Sequence, residues 1–247
     1  MDWLVYVMFL ASAVAGYSLG NISTAYLIGM AVARKDVRKY GSKSAGTTNV
    51  MRMLGTGLGI VTFLGDVLKG GIAALVGVVL AGEIGGVIAG VSAVVGHNWP
   101  VSLNFKGGKG IATTAGMLLV LFPIETSILF AVALVLIIVT RIVSIGSLLG
   151  VLMVTATVIV RNLTHLTHEI KALADNINLV SRMEGDLPAR IAIYIGMGLV
   201  FILAYVSHRE NIVRLLTGKE RKLKFRKMPR LFRRSKADEH DTGAGKA

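Results

Sequence analysis

A glycine- and lysine-rich stretch separates two apolar parts of the chain. Residues 94–116 read VVGHNWPVSLNFKGGKGIATTAG, in which Gly107, Gly108, Lys109 and Gly110 stand directly before an apolar segment. Glycines let backbone amides approach a ligand, the N-terminus of a helix attracts anions, and a lysine adds positive charge. The stretch is not a Walker A loop, because glycine rather than serine or threonine follows the lysine. It predicts a phosphate-binding loop, and the alternative is a basic tight turn between two short helices.

A second polar stretch, YGSKSAGTTNVMR at residues 40–52, combines hydroxyl, amide and guanidinium groups. Either of its serines can cap a helix that begins near Thr47. In such a helix Thr48 and Arg52 share one face at i, i+4. The exposed amides and polar side chains of this segment, Thr48 and Asn49 included, are expected to contact an anion. The alternative is a polar loop whose basic residues only fix the orientation of the chain in a membrane.

A third stretch, SHRENIVRLLTGKE at residues 207–220, places His208 and Asn211 three positions apart. On a helix these two side chains face the same site. Asparagine can only form hydrogen bonds, whereas histidine can also act as a base near neutral pH. The alternative is a solvated histidine at a membrane surface.

Two ionisable residues, Asp66 and Lys69, lie inside an apolar segment in the sequence GDVLKGG. Charged groups at that depth are costly, so they line cavities or pair with one another. The spacing of i, i+3 allows a pair. The sequence leaves open whether the two residues form a pocket wall or a structural ion pair.

The composition indicates a membrane protein. Of the 247 residues, 53% are hydrophobic and only 17% are charged, against about 25% charged in soluble domains. The net charge is +13, and the chain from Ser207 onward holds thirteen Lys and Arg against five Asp and Glu. Beside apolar segments, this tail indicates a cytoplasmic, lipid-facing segment rather than a nucleic-acid binder. The absence of cysteine excludes disulfides and a thioester intermediate, and the five scattered histidines make a metal site unexpected.

The apolar pattern predicts an all-α polytopic membrane protein with about seven transmembrane helices. Lys and Arg asymmetry places the N-terminus outside and the C-terminus in the cytoplasm, with all three polar stretches on the cytoplasmic side. We expect a membrane domain at residues 1–220 with an external insertion at about 161–188, followed by a basic, largely disordered tail at 221–247. Two of the segments, 84–96 and 111–122, are much shorter than the roughly 20 residues that a full crossing needs. In chain order the predicted segments are 3–32, 58–80, 84–96, 111–122, 125–139, 145–160 and 189–206.

Taken in order, the motifs resemble those of a known family. GSKSAGTTNVMRMLG, GDVLKGG, GHNWPVSLNFKGGKGIATTAG and SHRENIVRLLTG are similar to the signatures of the bacterial acyl-phosphate:glycerol-3-phosphate acyltransferases. The resemblance covers about residues 1–220. It implies a multi-pass enzyme of the bacterial inner membrane whose active site faces the cytoplasm.

The resemblance also implies the roles of individual residues. Catalytic groups are expected at Ser42, Arg52, His208 and Asn211. Lys109 and the glycine-rich loop are expected to bind the substrate phosphate, with supporting roles for Asp66, Lys69, Glu210 and Asn98.

The implied reaction moves a fatty acyl group from acyl phosphate to the 1-hydroxyl of sn-glycerol 3-phosphate, giving lysophosphatidate and inorganic phosphate. Both substrates carry phosphate, and no cofactor or metal is expected. The proton of the attacking hydroxyl passes either to His208 or to a phosphate oxygen of the substrate. Membrane lipids and the upstream enzyme that produces acyl phosphate are the expected partners. The alternative from a different class is a transporter or channel for a phosphorylated solute.

Overall fold

The structure, a computed structural model, describes residues 3–164 and 187–223. Within these residues the protein is α-helical and contains no β-strand, as the sequence predicts. The predicted external insertion and the predicted basic tail lie outside the described residues, apart from a few residues at their edges. The helices are α1 (Trp3–Gly20), α2 (Thr24–Ala33), α3 (Thr47–Leu54), α4 (Thr56–Asn98), α5 (Ile111–Leu121), α6 (Pro123–Thr140), α7 (Val143–Thr164), α8 (Leu187–Ser207) and α9 (Arg209–Leu216), with short 3₁₀ turns at Val37–Lys39 and Val101–Leu103.

The first predicted segment is broken in its middle. A three-residue break separates α1 from α2, where the prediction had one continuous helix. Ser23 has an extended backbone, and its hydroxyl accepts a hydrogen bond from the Tyr26 amide at 3.3 Å, which is the geometry of a helix N-cap. Within the break, Asn21 Oδ1 accepts a hydrogen bond from the Ser102 amide at 3.2 Å. The break therefore ties the end of α1 to the 3₁₀ turn at Val101–Leu103, which comes just before the glycines of the glycine-rich stretch.

Helix α4 folds back on itself. Its path is interrupted at Gly82, whose φ of +61° is accessible to glycine at low cost. The two halves, residues 56–80 and residues 83–98, are called the first arm and the second arm below. A Cβ at Gly77 would overlap the carbonyl of Gly85, so the arms pack backbone against backbone. The arms correspond to the second and third predicted segments.

Small residues let the other helices approach the two arms closely. Gly16 of α1 lies against the backbone of Ala89 in the second arm, and Gly116 of α5 lies against the carbonyl of Val67 in the first arm. Helices in a membrane associate by such close packing, since lipid tails are as apolar as the side chains. The short helix α5 is thereby fixed beside both arms, and its N-terminus carries the glycine-rich stretch.

Helices α6, α7 and α8 match the last three predicted segments and enclose the main apolar core. The core side chains are between 0% and 9% exposed and come from α4, α5, α7 and α8, with Phe122 between α5 and α6. Buried members of this core include Met117, Leu118, Leu121, Phe122, Val154, Val158, Ile193, Met197 and Val200.

Five stretches of the described residues are long and apolar enough to cross a membrane. Outward-facing apolar side chains support lipid contact, because Leu68 is 62% exposed and Val135 and Ile195 are each 58% exposed. The number of such stretches is smaller than the seven predicted segments for two reasons. Both arms of α4 fall within one continuous apolar stretch, and the 11 residues of α5 are too few for a crossing. The stretches are Trp3–Ala33, Thr56–Leu103, Pro123–Thr140, Val143–Val160 and Pro188–Ser207.

Candidate active site

Asn49 organises the serine loop, which we define as residues 40–46. Its side chain is buried, with 1% exposed. Oδ1 accepts a hydrogen bond from the Ser42 amide at 2.9 Å, and Nδ2 donates to the carbonyls of Val37 and Ser44 at 2.9 and 3.0 Å. The amide group is thus occupied by loop backbone and shapes the loop, and the expectation that Asn49 contacts a phosphate stays a prediction.

Helix α3 begins differently from the prediction but keeps the predicted face. Its N-cap is Gly46, and no side chain caps it, so the prediction of a serine cap is wrong. Thr48 and Arg52 both lie in α3 and share one face, as expected. Burial lowers the pKa of the half-buried Arg52, the cationic Arg221 lowers it further, and Glu220 opposes the shift. Arg52 therefore lies within electrostatic reach of the segment that follows α9.

In the glycine loop, residues 106–110, the amides of Gly107 and Gly108 donate hydrogen bonds to the end of the second arm. Gly107 donates its N–H to the carbonyl of Asn98 at 3.2 Å, and Gly108 donates to the carbonyl of His97 at 3.0 Å. These two amides hold the loop against the end of the second arm. The missing side chains of Gly107 and Gly108 allow this close approach, and the expectation that they bind a substrate phosphate stays a prediction.

The serine loop and the glycine loop form one unit at the N-terminus of α5. The Ala45 amide donates to the carbonyl of Gly107 at 3.1 Å. Gly110 caps α5 with a φ of +79°, and a Cβ there would lie 2.7 Å from Asn98 Oδ1. The first N–H groups of α5 have no intrahelical acceptor, and they give this end of the helix a partial positive charge.

Lys109 points to α9. Its Nζ donates a hydrogen bond to Asn211 Oδ1. Burial lowers the pKa of Lys109 to about 8; the cations Arg214 and Arg52 contribute to the shift, and Glu220 opposes it. Several cations thus gather around one partly buried ammonium group, and an arriving anion would relieve their repulsion.

Glu220 holds the other side of this cluster, and the sequence reasoning missed it. Asn211 Nδ2 and the Ser144 hydroxyl each donate to Glu220 Oε1 at 2.7 Å, and Arg214 Nε donates to Oε2 at 2.8 Å. Burial alone would raise the pKa of Glu220, but the hydrogen bonds from Arg214, Ser144 and Asn211 outweigh it and lower the pKa. The signal in the sequence is an isolated acid within a basic run; Ser144, on α7, offers no signal of its own.

Glu210, by contrast, lies at the surface. Its side chain is 76% exposed, and its carboxylate is 3.7 Å from Arg214 Nη1. Exposed pairs of this kind contribute roughly 0–1 kcal/mol. Glu220 is the acid that the cluster encloses, and the supporting role expected of Glu210 stays a prediction.

His208 lies at the junction of α8 and α9 and is 4% exposed. Its Nδ1 is 2.8 Å from the carbonyl of Ala204. A carbonyl can only accept, so the proton is on Nδ1 and Nε2 keeps its lone pair. Burial, reinforced by the charge of Lys109, lowers the pKa of His208 to about 4. The imidazole is neutral at pH 7 and is close to Lys109, as the predicted site requires.

Asp66 and Lys69 form an ion pair, which was one of the two predicted alternatives. Lys69 Nζ is 2.8 Å from Asp66 Oδ1, and Thr24 donates its hydroxyl to the same oxygen at 3.0 Å. Lys69 also lies 2.8 Å from His97 Nδ1, a residue that the sequence reasoning did not single out. The signal for His97 was its place directly before Asn98 in the glycine-rich motif.

Asn98 supports the packing of two helix ends. Its Nδ2 donates to the hydroxyl of Ser207 at 2.9 Å, one residue before His208. This contact joins the end of the second arm to the end of α8. Of the other predicted residues, Ser42 lies exposed on the adjoining serine loop. Lys109, Arg52 and Arg214 form what we call the cation cluster. His208 and Asn211 lie beside Lys109 in this cluster.

Fold and site together are those of an integral membrane protein, built of apolar helices, with a cation-lined site at one end of the bundle. In the described parts of the chain, no group of three or more His, Asp and Glu side chains is suited to a metal ion. The chain belongs to the glycerol-3-phosphate acyltransferase family, whose model matches residues 10–218.

Relatives and solved structures agree with this assignment. The chain is 37% identical over 217 residues to a glycerol-3-phosphate acyltransferase of Clostridioides difficile (strain 630), covering 85% of this chain and 93% of the relative. It is 39% identical over 220 residues to one from Hyphomonas neptunium, covering 89% and 93%. The fold is similar to crystal structures of PlsY, an integral membrane glycerol 3-phosphate acyltransferase. Its glycerol 3-phosphate form gives a TM-score of 0.70 at 29% identity, covering 87% of this chain and 96% of that one. Its lysophosphatidic acid form gives 0.69 at 28% identity, covering 87% and 94%.

Proposed function

We propose that this protein transfers a fatty acyl group from acyl phosphate to the 1-hydroxyl of sn-glycerol 3-phosphate, releasing lysophosphatidate and inorganic phosphate. The observation that carries the proposal is the cluster in which Lys109, Asn211 and Glu220 meet beside Arg52 and His208. Relatives named glycerol-3-phosphate acyltransferase and a solved homologue in a glycerol 3-phosphate form support the acceptor substrate.

The cations bind and orient the two phosphorylated substrates. Lys109 and Arg52 neutralise phosphate oxygens, and the first N–H groups of α5 supply a further positive end. Charge-assisted hydrogen bonds of this kind contribute about 1.5–3 kcal/mol each. We propose that Ser42, which is exposed on the serine loop beside the glycine loop, contacts the substrates as well. Holding both substrates together brings the hydroxyl to the acyl carbonyl.

Acyl phosphate is already activated, so the protein supplies orientation and no covalent nucleophile. The attacking hydroxyl needs a proton acceptor, and two are available: His208 Nε2 and a substrate phosphate. A histidine whose pKa is about 4 is a weaker base than a phosphate monoester of pKa about 6. We therefore assign the proton to the phosphate of the substrate, with His208 Nε2 accepting a hydrogen bond that orients the hydroxyl.

Replacing the histidine separates the two roles. In His208→Ala, we expect single-turnover acyl transfer to slow about 10²- to 10³-fold but to remain measurable, because orientation is lost while the phosphate acceptor stays. Rapid-quench measurement of lysophosphatidate checks this outcome. Complete loss of chemistry, with glycerol 3-phosphate binding intact, would instead assign the proton transfer to His208.

We also propose that the site faces the cytoplasm and the protein lies in the bacterial inner membrane. The serine loop, the glycine loop, Arg141 and the basic tail fall on one side if the arms of α4 and the short α5 count as crossings, giving seven in total. The N-terminus is then outside. Acyl phosphate arrives through the membrane lipids or from the upstream enzyme that makes it.

The decisive experiment measures phosphate release from palmitoyl phosphate by the purified protein, with and without glycerol 3-phosphate. We expect release that depends on glycerol 3-phosphate and matches lysophosphatidate formation one to one. The alternative function, transport of a phosphorylated solute, predicts uptake of glycerol 3-phosphate into vesicles without lysophosphatidate. Uptake without acyl transfer would reject the proposal.

A further inference from the structure

The buried ion pair of α4 fixes the proton of His97. Lys69 Nζ lies 2.8 Å from Asp66 Oδ1, 2.7 Å from the carbonyl of Ile22 and 2.8 Å from His97 Nδ1. An ammonium group has three protons and no lone pair, so all three contacts are donations. His97 Nδ1 is therefore an acceptor, and the ring carries its proton on Nε2. The separation of 3.6 Å between His97 Nδ1 and Asp66 is accordingly not an ion pair.

Both the ring and the main chain of His97 meet Gly108. The Gly108 amide donates to the His97 carbonyl at 3.0 Å. A Cβ at Gly108 would overlap Nε2 of the ring, and the same Cβ would be 2.9 Å from the carbonyl of Ala45 in the serine loop. Gly108 is thus enclosed between the imidazole and the serine loop, and the next residue in the chain is Lys109.

The arrangement connects the buried Lys69–Asp66 ion pair to the glycine loop through the ring of His97. The Lys69–Asp66 pair is buried, with 6% and 1% of the two residues exposed. It bonds one edge of an imidazole whose opposite edge contacts the glycine loop. A buried ion pair fixes geometry better than it adds stability, because desolvation offsets much of its attraction. Its natural role here is to hold the ring.

We propose that His97 is a positioning residue for the glycine loop. Lys69 and Asp66 hold its ring, the ring and carbonyl fix Gly108, and this sets the direction in which Lys109 meets a substrate phosphate. The inference rests on the proposed function, because the phosphate contact of Lys109 is part of that function.

The substitution His97→Asn tests the role. The asparagine keeps an acceptor near the position of Nδ1, so Lys69 stays paired, but it is too short to reach Gly108. We expect a folded protein whose melting temperature is close to that of the wild type. The KM for glycerol 3-phosphate or for palmitoyl phosphate should rise about tenfold or more, with kcat changed much less. The substrate whose KM rises identifies the phosphate that Lys109 contacts.

Two further variants make the test independent of that one substitution. His97→Gln extends toward Gly108 but removes the acceptor of Lys69, so its melting temperature should fall more than that of His97→Asn. Asp66→Leu combined with Lys69→Met removes both charges together and leaves no unpaired charge. It should show the same rise in KM, because the ring loses its support.

A compensating pair supplies the last measurement. Gly108→Ala should raise KM in the wild-type background, where the new methyl group meets the imidazole, and should raise it less when His97→Asn is also present. Unchanged KM in folded His97→Asn and Gly108→Ala, together with strictly additive effects in the pair, would overturn the role of His97. A wild-type protein without glycerol 3-phosphate-dependent phosphate release would reject the proposed function instead.

Discussion

At the scale of single residues, the cluster contains an acid, Glu220, whose two carboxylate oxygens both accept hydrogen bonds from the protein. Glu220 accepts hydrogen bonds from Asn211, Ser144 and Arg214, which lie on two helices, and Asn211 in turn accepts one from Lys109. An ionised carboxylate can accept hydrogen bonds but cannot donate them, so it can orient several donors at once. The ammonium end of Lys109 is therefore held, through Asn211, by the negatively charged Glu220.

The matched substitutions Glu220→Gln and Glu210→Gln separate the enclosed acid from the exposed one. The first leaves a donor facing Arg214 or Asn211 and should cost about 1–3 kcal/mol of stability while raising the KM for glycerol 3-phosphate. The second should change neither quantity, since Glu210 is largely exposed. Denaturant unfolding in detergent and steady-state kinetics check both. Equal effects of the two variants would contradict the role given to Glu220.

At the scale of elements, glycine contacts decide where the short helix α5 lies. Gly116 lets α5 touch the first arm of α4 at the carbonyl of Val67, and Gly90 of the second arm receives the side chain of Met117. Because α5 begins at the glycine loop, its placement also places Lys109. Packing at these positions thus acts on the site without any contact to it.

A glycine pair tests this dependence. Gly116→Ala would drive a methyl group into the carbonyl of Val67 and should lower stability by about 1–3 kcal/mol, with a loss of activity. Gly198→Ala on α8 is the control. Its Cβ meets nothing within 4 Å, so we expect no loss and a gain of at most about 1 kcal/mol. Thermal unfolding in detergent measures both. A neutral Gly116→Ala would show that α5 is positioned by other contacts.

At the scale of the whole molecule, the proposed orientation places the cation cluster at the cytoplasmic surface. The chain contains no cysteine, so single cysteines can be introduced at chosen positions without interference. Lys43, in the serine loop, and Glu83, at the turn of α4, lie at opposite ends of the first arm. In the proposed topology they face opposite sides of the membrane.

Labelling with a membrane-impermeant thiol reagent tests the orientation. We expect Lys43→Cys to react in inside-out vesicles and Glu83→Cys to react in intact cells, because the serine loop is cytoplasmic and the turn of α4 is external. The cysteine-free parent is the blank in both preparations. Reaction of both variants from the same side would refute seven crossings with a folded-back α4.

The sequence by itself determined the apolar segments, their order and the motifs that mark the family. The arms of α4 and the helices α6, α7 and α8 were predictable, because a lipid environment requires long apolar helices and little else satisfies the backbone. The break after α1 was missed, since two polar residues, Asn21 and Ser23, can be tolerated in an apolar helix. The contact of Asn21 with Ser102 is what accompanies the break in the structure.

Only the tertiary structure decided which polar groups meet. Lys109 and Asn211 are 102 positions apart, and Lys69 and His97 are 28 apart across the turn of α4. Their contacts depend on how closely helices pack at glycines, which residue types alone do not specify. For the same reason the sequence did not indicate that Asn49 organises the serine loop or that Glu220 lies in the cluster. The sequence names the groups with suitable chemistry, and the packing of the helices determines which of them face one another.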